Sequence, residues 1–310
     1  MIRRILLGLL AAVLLGLAAL YAIYRVDAQA RLDAFDAGAR IIDTRVGPVE
    51  YRLEGDPDGP VLAFVHGSPG GYDSAPPPDP GVQVLAYSRP GYLRTPLSAG
   101  HTSMEQADLL AALLDALAID RAAVMGVSGG GPSAYAFAHR YPERTTALIG
   151  LEALSFAIPA EEADDVLPTD FLLWPAFKGL EAIYDDAELV QTVMADDPAL
   201  DRLLADSAVT AEIAELIWTL WPASLRGPGY DNDNLEFQRF DLDLSEIRVP
   251  TLIVHGTLDT SVPVEHGTFA AEQIPGARIH LIEDAGHLMP WAHAEEMDGV
   301  ISAFLAEHTD

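Results

Sequence analysis

AAVMGVSGGGPSAYAFAHR, residues 122–140, joins an apolar, strand-like run to a helix-forming run across a turn that holds one serine among four glycines. Gly126-Val127-Ser128-Gly129-Gly130 matches G-x-S-x-G, and the order around it is strand, turn, helix. A nucleophile on a sharp strand-to-helix turn takes a strained backbone conformation. Side chains two residues before and after it would collide, so glycine is expected at both places. The serine then sits at a helix N-terminus, where backbone N–H groups stabilise a negative oxygen. Ser128 is the candidate nucleophile, and it needs a base and an acid from elsewhere in the chain.

A hydroxyl attacks poorly until a base takes its proton. Of nine histidines, His287 lies in Asp284-Ala285-Gly286-His287, after the strand-like run Ala277–Ile282 and before a final helix, Trp291–Glu307. His139 falls inside a helical run, His255 and His280 fall inside strand runs, and His101, His266, His293 and His308 read as surface positions. The carboxyl edge of a parallel sheet gathers such loops, so His287 is the candidate base. The base needs a carboxylate to fix its tautomer. Asp259 follows the strand Pro250–His255, and Glu152, just after the strand Thr146–Leu151, competes with it. His66-Gly67-Ser68-Pro69-Gly70-Gly71 follows the strand Val61–Val65 and can aim an N–H at a developing oxyanion. Ser68 and Gly129 are the expected donors.

Further strands are expected at Val49–Leu53 and Val82–Tyr87, and helices at Ser103–Ile119, Gly131–Arg140 and Pro263–Ile274. Ser103 with Gln106 reads as a capping box. Ala75-Pro76-Pro77-Pro78-Asp79-Pro80 is a stiff extended loop. Strand–helix alternation means an α/β fold with a mostly parallel sheet and helices on both faces. The alternation breaks from Ser155 to Asp243, a stretch rich in Asp, Glu, Ala and aromatics. The expected division is an anchor and linker over 1–31, a core over 32–154 and 244–310, and a helical insertion over 155–243.

Ile5 to Tyr24 contains no charge. At about 1.5 Å per residue it is long enough to span the roughly 30 Å hydrocarbon core of a bilayer. Tyr21 and Tyr24 suit the membrane interface. Ala28-Gln29-Ala30 carries the small-x-small pattern of a signal-peptide cleavage site, so a cleaved leader is the rival of a single-pass anchor. Arg3 and Arg4 favour an inner N-terminus with the catalytic domain outside the cytoplasm, while Arg25, Arg31 and Arg40 oppose it. The chain has 310 residues and a net charge of −29, with +3 in residues 1–31 and −32 in the remainder. Such a surface repels nucleic acid. With no cysteine, disulfides, thiolate chemistry and cysteine-bound zinc are excluded.

These motifs together resemble the α/β-hydrolase family from about Val46 to the C-terminus. Ser88-Arg89-Pro90-Gly91-Tyr92 is similar to a turn of that family in which Asp-Arg-Pro-Gly is commoner. The resemblance implies a serine hydrolase with Ser128, Asp259 and His287 as triad. Family membership does not fix the substrate; the expectation is an acyl-enzyme route on small esters with apolar acyl groups, and the same machinery could cleave an amide or a carbon–carbon bond. It implies no metal and no cofactor. It makes the insertion a helical lid, with Trp174, Phe177, Trp218 and Trp221 lining a substrate pocket. Relatives that open epoxides or remove halides use Asp as nucleophile, and Ser128 argues against those reactions. His66–Gly71 is also similar to the His-Gly-Gly-Pro-Gly loop of proline iminopeptidases, which bind a free amino terminus through acidic lid residues. The Gly-Gly-Ser-Trp-Gly elbow of that group is absent. A catalytically silent binding protein on the same fold is the alternative from another class.

Overall fold

The computed structural model describes residues 2–159, 169–194 and 197–308. Of the expected insertion, residues 160–168 and 195–196 lie outside the described residues, as does Met1 of the expected anchor.

Eight strands form one sheet: β1 (Arg40–Thr44), β2 (Gly47–Gly55), β3 (Val61–Val65), β4 (Gln83–Tyr87), β5 (Ala122–Val127), β6 (Thr145–Leu151), β7 (Thr251–Gly256) and β8 (Arg278–Ile282). Their spatial order is β1-β2-β4-β3-β5-β6-β7-β8. β2 runs antiparallel to β1 and to β4, and from β4 through β8 all neighbours are parallel. β3, β5, β6 and β7 are buried almost throughout. Parallel strands covered on both faces read as continuous apolar runs, which is why these were legible in the sequence. β1 was not expected. It is an edge strand with every residue at least partly exposed, so it carries no apolar alternation.

The helices α2 (Ser103–Ala116), α3 (Gly131–Arg140) and α9 (Glu265–Gln273) pack on one face of the sheet, and α11 (Ala294–His308) packs on the other. The N-cap of α2 is Thr102, one residue before the expected Ser103, and its box partner is Glu105 rather than Gln106. Thr102 Oγ1 accepts from the Glu105 N–H at 3.2 Å, and Glu105 Oε2 accepts from the Thr102 N–H at 3.0 Å. On the α11 face the β3–β4 connection has no α-helix. A short 3-10 turn, Tyr72–Ser74, and the proline run take its place, with Tyr72 and Ala75 buried in that layer.

Between β6 and β7 lie α4 (Asp170–Ile183), α5 (Asp186–Val193), α6 (Leu200–Ala205), α7 (Ser207–Leu216) and α8 (Ala223–Phe237). A four-residue helix, α10 (Met289–Ala292), precedes α11. The first helix, α1 (Ile2–Gly38), runs unbroken from the apolar segment through the expected linker. Its most apolar 18-residue window has a mean hydropathy of 2.6 and no buried residue. It is the one helix among the described residues long and apolar enough to cross a membrane. Its second half is different: Tyr24, Ala28, Leu32 and Phe35 enter one apolar cluster with Trp174, Phe177, Trp218 and Trp221. Trp174 Nε1 donates to Asp27 at 2.6 Å, and the Arg31 guanidinium lies 3.5 Å from the Trp218 ring centroid.

Candidate active site

Ser128 stands where β5 turns into α3, at φ +51°. A non-glycine residue in the left-handed region costs about 1–3 kcal/mol and persists only where its surroundings hold it. The flanking glycines show what holds it. A Cβ on Gly126 would lie 2.5 Å from Ala134 Cβ on α3, and one on Gly130 would strike the Val65 carbonyl at the end of β3. The turn is therefore clamped between the helix it starts and the neighbouring strand. The Ser128 carbonyl accepts from the Leu154 N–H at 3.1 Å. Its half-buried side chain faces Gly67, where a Cβ would come within 3.5 Å of Oγ.

His287 and Asp259, from the loops after β8 and β7, meet directly. Asp259 Oδ2 accepts from His287 Nδ1 at 2.8 Å, and Asp259 Oδ1 accepts from the N–H groups of Ser261 and Val262, each at 2.9 Å. Nδ1 of His287 is thereby the protonated nitrogen, and Nε2 is left as the acceptor. Glu152, at φ +48° after β6, keeps its Oε2 3.8 Å from His287 Nδ1, beyond hydrogen-bond reach. Glu152 is buried, and its Oε1 has no partner among the described residues. Burial, with Asp259 and Asp197 nearby, pushes its carboxyl well above the usual carboxylate range. Glu152, Asp259 and His287 each place a ligand-type atom within 4.8 Å of the other two. Two of those three atoms are already bonded to each other. Among the described residues no hydrogen bond joins the Ser128 hydroxyl to the His287 ring. Such bonds are often long before substrate arrives.

Gly129 and Ser68 touch across the turn: a Cβ on Gly129 would lie 2.7 Å from Ser68 Oγ and 2.7 Å from Phe237 Cζ. Neither the Ser68 N–H nor the Gly129 N–H takes part in a hydrogen bond among the described residues. The start of this loop is fixed by His66. Its Nδ1 donates to the Gly67 carbonyl at 2.7 Å and its Nε2 accepts from the Arg89 N–H at 2.9 Å. Burial, and then the charge of Arg89, holds the ring neutral, well below its ordinary pKa.

The sequence offered no sign of three groups on Ser68 itself. Its hydroxyl bonds to Asp233 of α8, to Arg89 Nη2 at 2.9 Å and to the Tyr92 hydroxyl at 3.1 Å. Ser88–Tyr92 read only as a turn, and Asp233 read as one acidic residue among many. The four aromatics expected to line a pocket share one apolar cluster, which also takes in Leu288 and Trp291, just after His287 in the chain. Trp174, Phe177, Trp218 and Trp221 pack against α1, while the apolar cluster beside Ser128 and Asp259 is Leu154, Phe237 and Val262, with Ile158 against it.

A sequence profile of the alpha/beta hydrolase fold matches residues 60–294. A "2-hydroxy-6-oxononadienedioate/2-hydroxy-6-oxononatrienedioate hydrolase" of Burkholderia vietnamiensis is 30% identical over 239 residues, covering 73% of this chain and 77% of that protein. A "2-hydroxy-6-oxo-6-phenylhexa-2,4-dienoate hydrolase" of Comamonas testosteroni is 28% identical, covering 74% and 79%. Among solved structures, an "Alpha/beta hydrolase fold protein" of Nakamurella multipartita superposes with a TM-score of 0.73 at 32% identity, covering 86% of this chain and 97% of that one.

Proposed function

The chain belongs to the alpha/beta-hydrolase family, and from that premise we propose that it is a serine hydrolase of small esters with apolar acyl groups. Ser128 Oγ attacks the carbonyl carbon while its proton passes to His287 Nε2. Asp259, on Nδ1, orients the ring and stabilises the imidazolium. The Gly129 and Ser68 N–H groups hold the oxyanion. Collapse of the tetrahedral adduct transfers the proton from Nε2 to the departing alcohol. A water activated by the same nitrogen then releases the acid and restores Ser128. The helices of residues 155–243 are the lid over this site.

The observation that carries this reading is the hydroxyl of Ser128, on a strained turn and without a bond among the described residues, beside an apolar cluster of Leu154, Phe237 and Val262. A second reading, cleavage of a carbon–carbon bond beside a ketone, draws on the names of the curated relatives. The substrates those names describe are carboxylates. In this chain the two buried guanidiniums near Ser68 are engaged: Arg89 with Asp233 and Arg226 with Asp73. A net charge of −29 also repels an anionic substrate. Asp233, the insertion carboxylate on Ser68, is paired with Arg89, so it is not a free acidic group of the kind an iminopeptidase offers an amino terminus.

We also propose that α1 is a retained single-pass anchor. Cutting after Ala30 would remove Tyr24, Asp27 and Ala28, which complete the aromatic cluster of the insertion. A fluorophosphonate probe tests the chemistry. Wild type should be labelled at Ser128 and should hydrolyse p-nitrophenyl butyrate faster than it cleaves a 2-hydroxy-6-oxo-dienoate. Hydrolysis unchanged in Ser128→Ala would favour the silent binding protein instead.

A further inference from the structure

If Ser68 served only as a backbone donor, its side chain would need no partner. Its hydroxyl is instead engaged by Asp233 and Arg89, with the Tyr92 hydroxyl beside it. A serine hydroxyl offers one proton and two lone pairs. The proton goes to Asp233 Oδ2, and Arg89 Nη2 donates into the oxygen at 2.9 Å. The Tyr92 hydroxyl lies 3.1 Å from that oxygen and donates to Asp233 Oδ2 at 2.5 Å.

Arg89 and Asp233 form a two-pronged pair. Nη1 donates to Oδ1 at 2.9 Å and Nη2 to Oδ2 at 2.5 Å, with both side chains at most 2% exposed. Arg89 also donates through Nε to the His66 carbonyl at 2.9 Å. One guanidinium thus grips the loop after β3 at His66 and at Ser68, and a carboxylate 144 residues away in sequence completes the grip. Asp233 is itself held in place because α8 is bolted to the core. Arg226 donates to the Gly70 carbonyl at 2.6 Å, and the Gly229 N–H donates to the Gly91 carbonyl at 2.9 Å.

A buried ion pair is an expensive way to stabilise a fold, because apolar side chains of similar volume often serve as well. What this pair does that apolar packing would not is hold a hydroxyl by direction. Ser68 lies against Gly129, and among the described residues the N–H groups of both carry no bond. We infer that Asp233, with Arg89, is a positioning residue that locks Ser68 so that its N–H and that of Gly129 point at one oxyanion. This inference rests on the serine hydrolase reading of the site.

The experiment uses the full chain with p-nitrophenyl butyrate, a trifluoromethyl ketone and butyrate as probes. The ketone adds to Ser128 as an oxyanion, whereas butyrate has no tetrahedral oxygen. Ser68→Ala keeps the N–H and deletes the atom that the network grips. It should lower kcat about 10-fold, short of the roughly 10² to 10³ expected for losing a donor outright. KM and butyrate inhibition should hold within about two-fold, and ketone affinity should fall by the same factor as kcat. Asp233→Asn should behave alike, and Ser68→Ala with Asp233→Asn should be no slower than Asp233→Asn alone. If Asp233→Asn does not fold, Tyr92→Phe stands in for it in the same cycle. Wild-type kcat and ketone affinity in folded Ser68→Ala, or fully additive losses in the double variant, would overturn the positioning role while leaving the hydrolase intact. Wild type that neither reacts with a fluorophosphonate at Ser128 nor binds the ketone overturns the hydrolase reading and the positioning role together.

Discussion

His287 Nδ1 and Asp259 Oδ2 are 2.8 Å apart, although one follows β8 and the other β7. β7 and β8 are paired parallel, from Leu252 with Arg278 to Gly256 with Ile282, so their carboxyl ends emerge side by side. The loops that follow need only a few residues each to bring imidazole and carboxylate into contact.

Removing the charge on that carboxylate tests its role. Asp259→Asn offers His287 an amide in place of a pure acceptor and permits the wrong tautomer. We expect kcat on p-nitrophenyl butyrate to fall by about 10³ to 10⁴ with folding intact. Steady-state kinetics beside a circular dichroism melt checks this, and a loss under ten-fold would remove Asp259 from the triad.

Glu152 gives the opposite expectation. Burial raises its carboxyl above the ordinary value of 4.5, so the folded protein binds a proton that the unfolded chain releases. That contribution to stability is full below about pH 4.5 and is lost as pH rises toward the folded value. Glu152→Gln, already neutral, removes this slope. Melting temperatures from pH 4 to 8 should show wild type declining relative to Glu152→Gln as pH rises, with activity within about three-fold. Parallel melting curves would contradict it.

The glycine two residues before Ser128 has a steric reason that substitution can expose. In Gly126→Val the new Cβ would lie 2.5 Å from Ala134 Cβ, so the strand or α3 must shift to admit it. We expect destabilisation of about 1–3 kcal/mol in urea titration. Fluorophosphonate labelling should slow more than stability alone accounts for, because relief of the clash shifts the turn that presents Ser128.

Two truncations separate the roles of the halves of α1. A variant lacking residues 2–20 loses exposed apolar surface only, so its melting temperature should match the full chain in detergent. A variant lacking residues 2–31 also strips Tyr24, Asp27 and Ala28 from the aromatic cluster. It should melt lower by roughly 5 °C or more, with tryptophans newly open to iodide quenching. An intact mass matching a chain that begins at Arg31 would show that the leader is removed.

Most of the sheet was legible because the buried parallel strands are continuous apolar runs, and because a G-x-S-x-G between strand and helix admits few backbone paths. β1 escaped because an exposed edge strand has no pattern to read. The positions of Ser128, Asp259, His287 and Ser68 at strand ends follow from local signals, since each sits where an apolar run stops. Other matters lay in tertiary structure alone. Asp259 and Glu152 are both carboxylates just past a strand, and only the pairing of β6, β7 and β8 puts one at 2.8 Å and the other at 3.8 Å from the same nitrogen. Nothing local ties Asp233 to Arg89, or turns the insertion's tryptophans toward α1. Backbone conformation and burial are set by residues a few places apart and are written in composition and spacing. The partner of a buried charge or ring is set by which distant surfaces pack together, and that is decided when the chain folds.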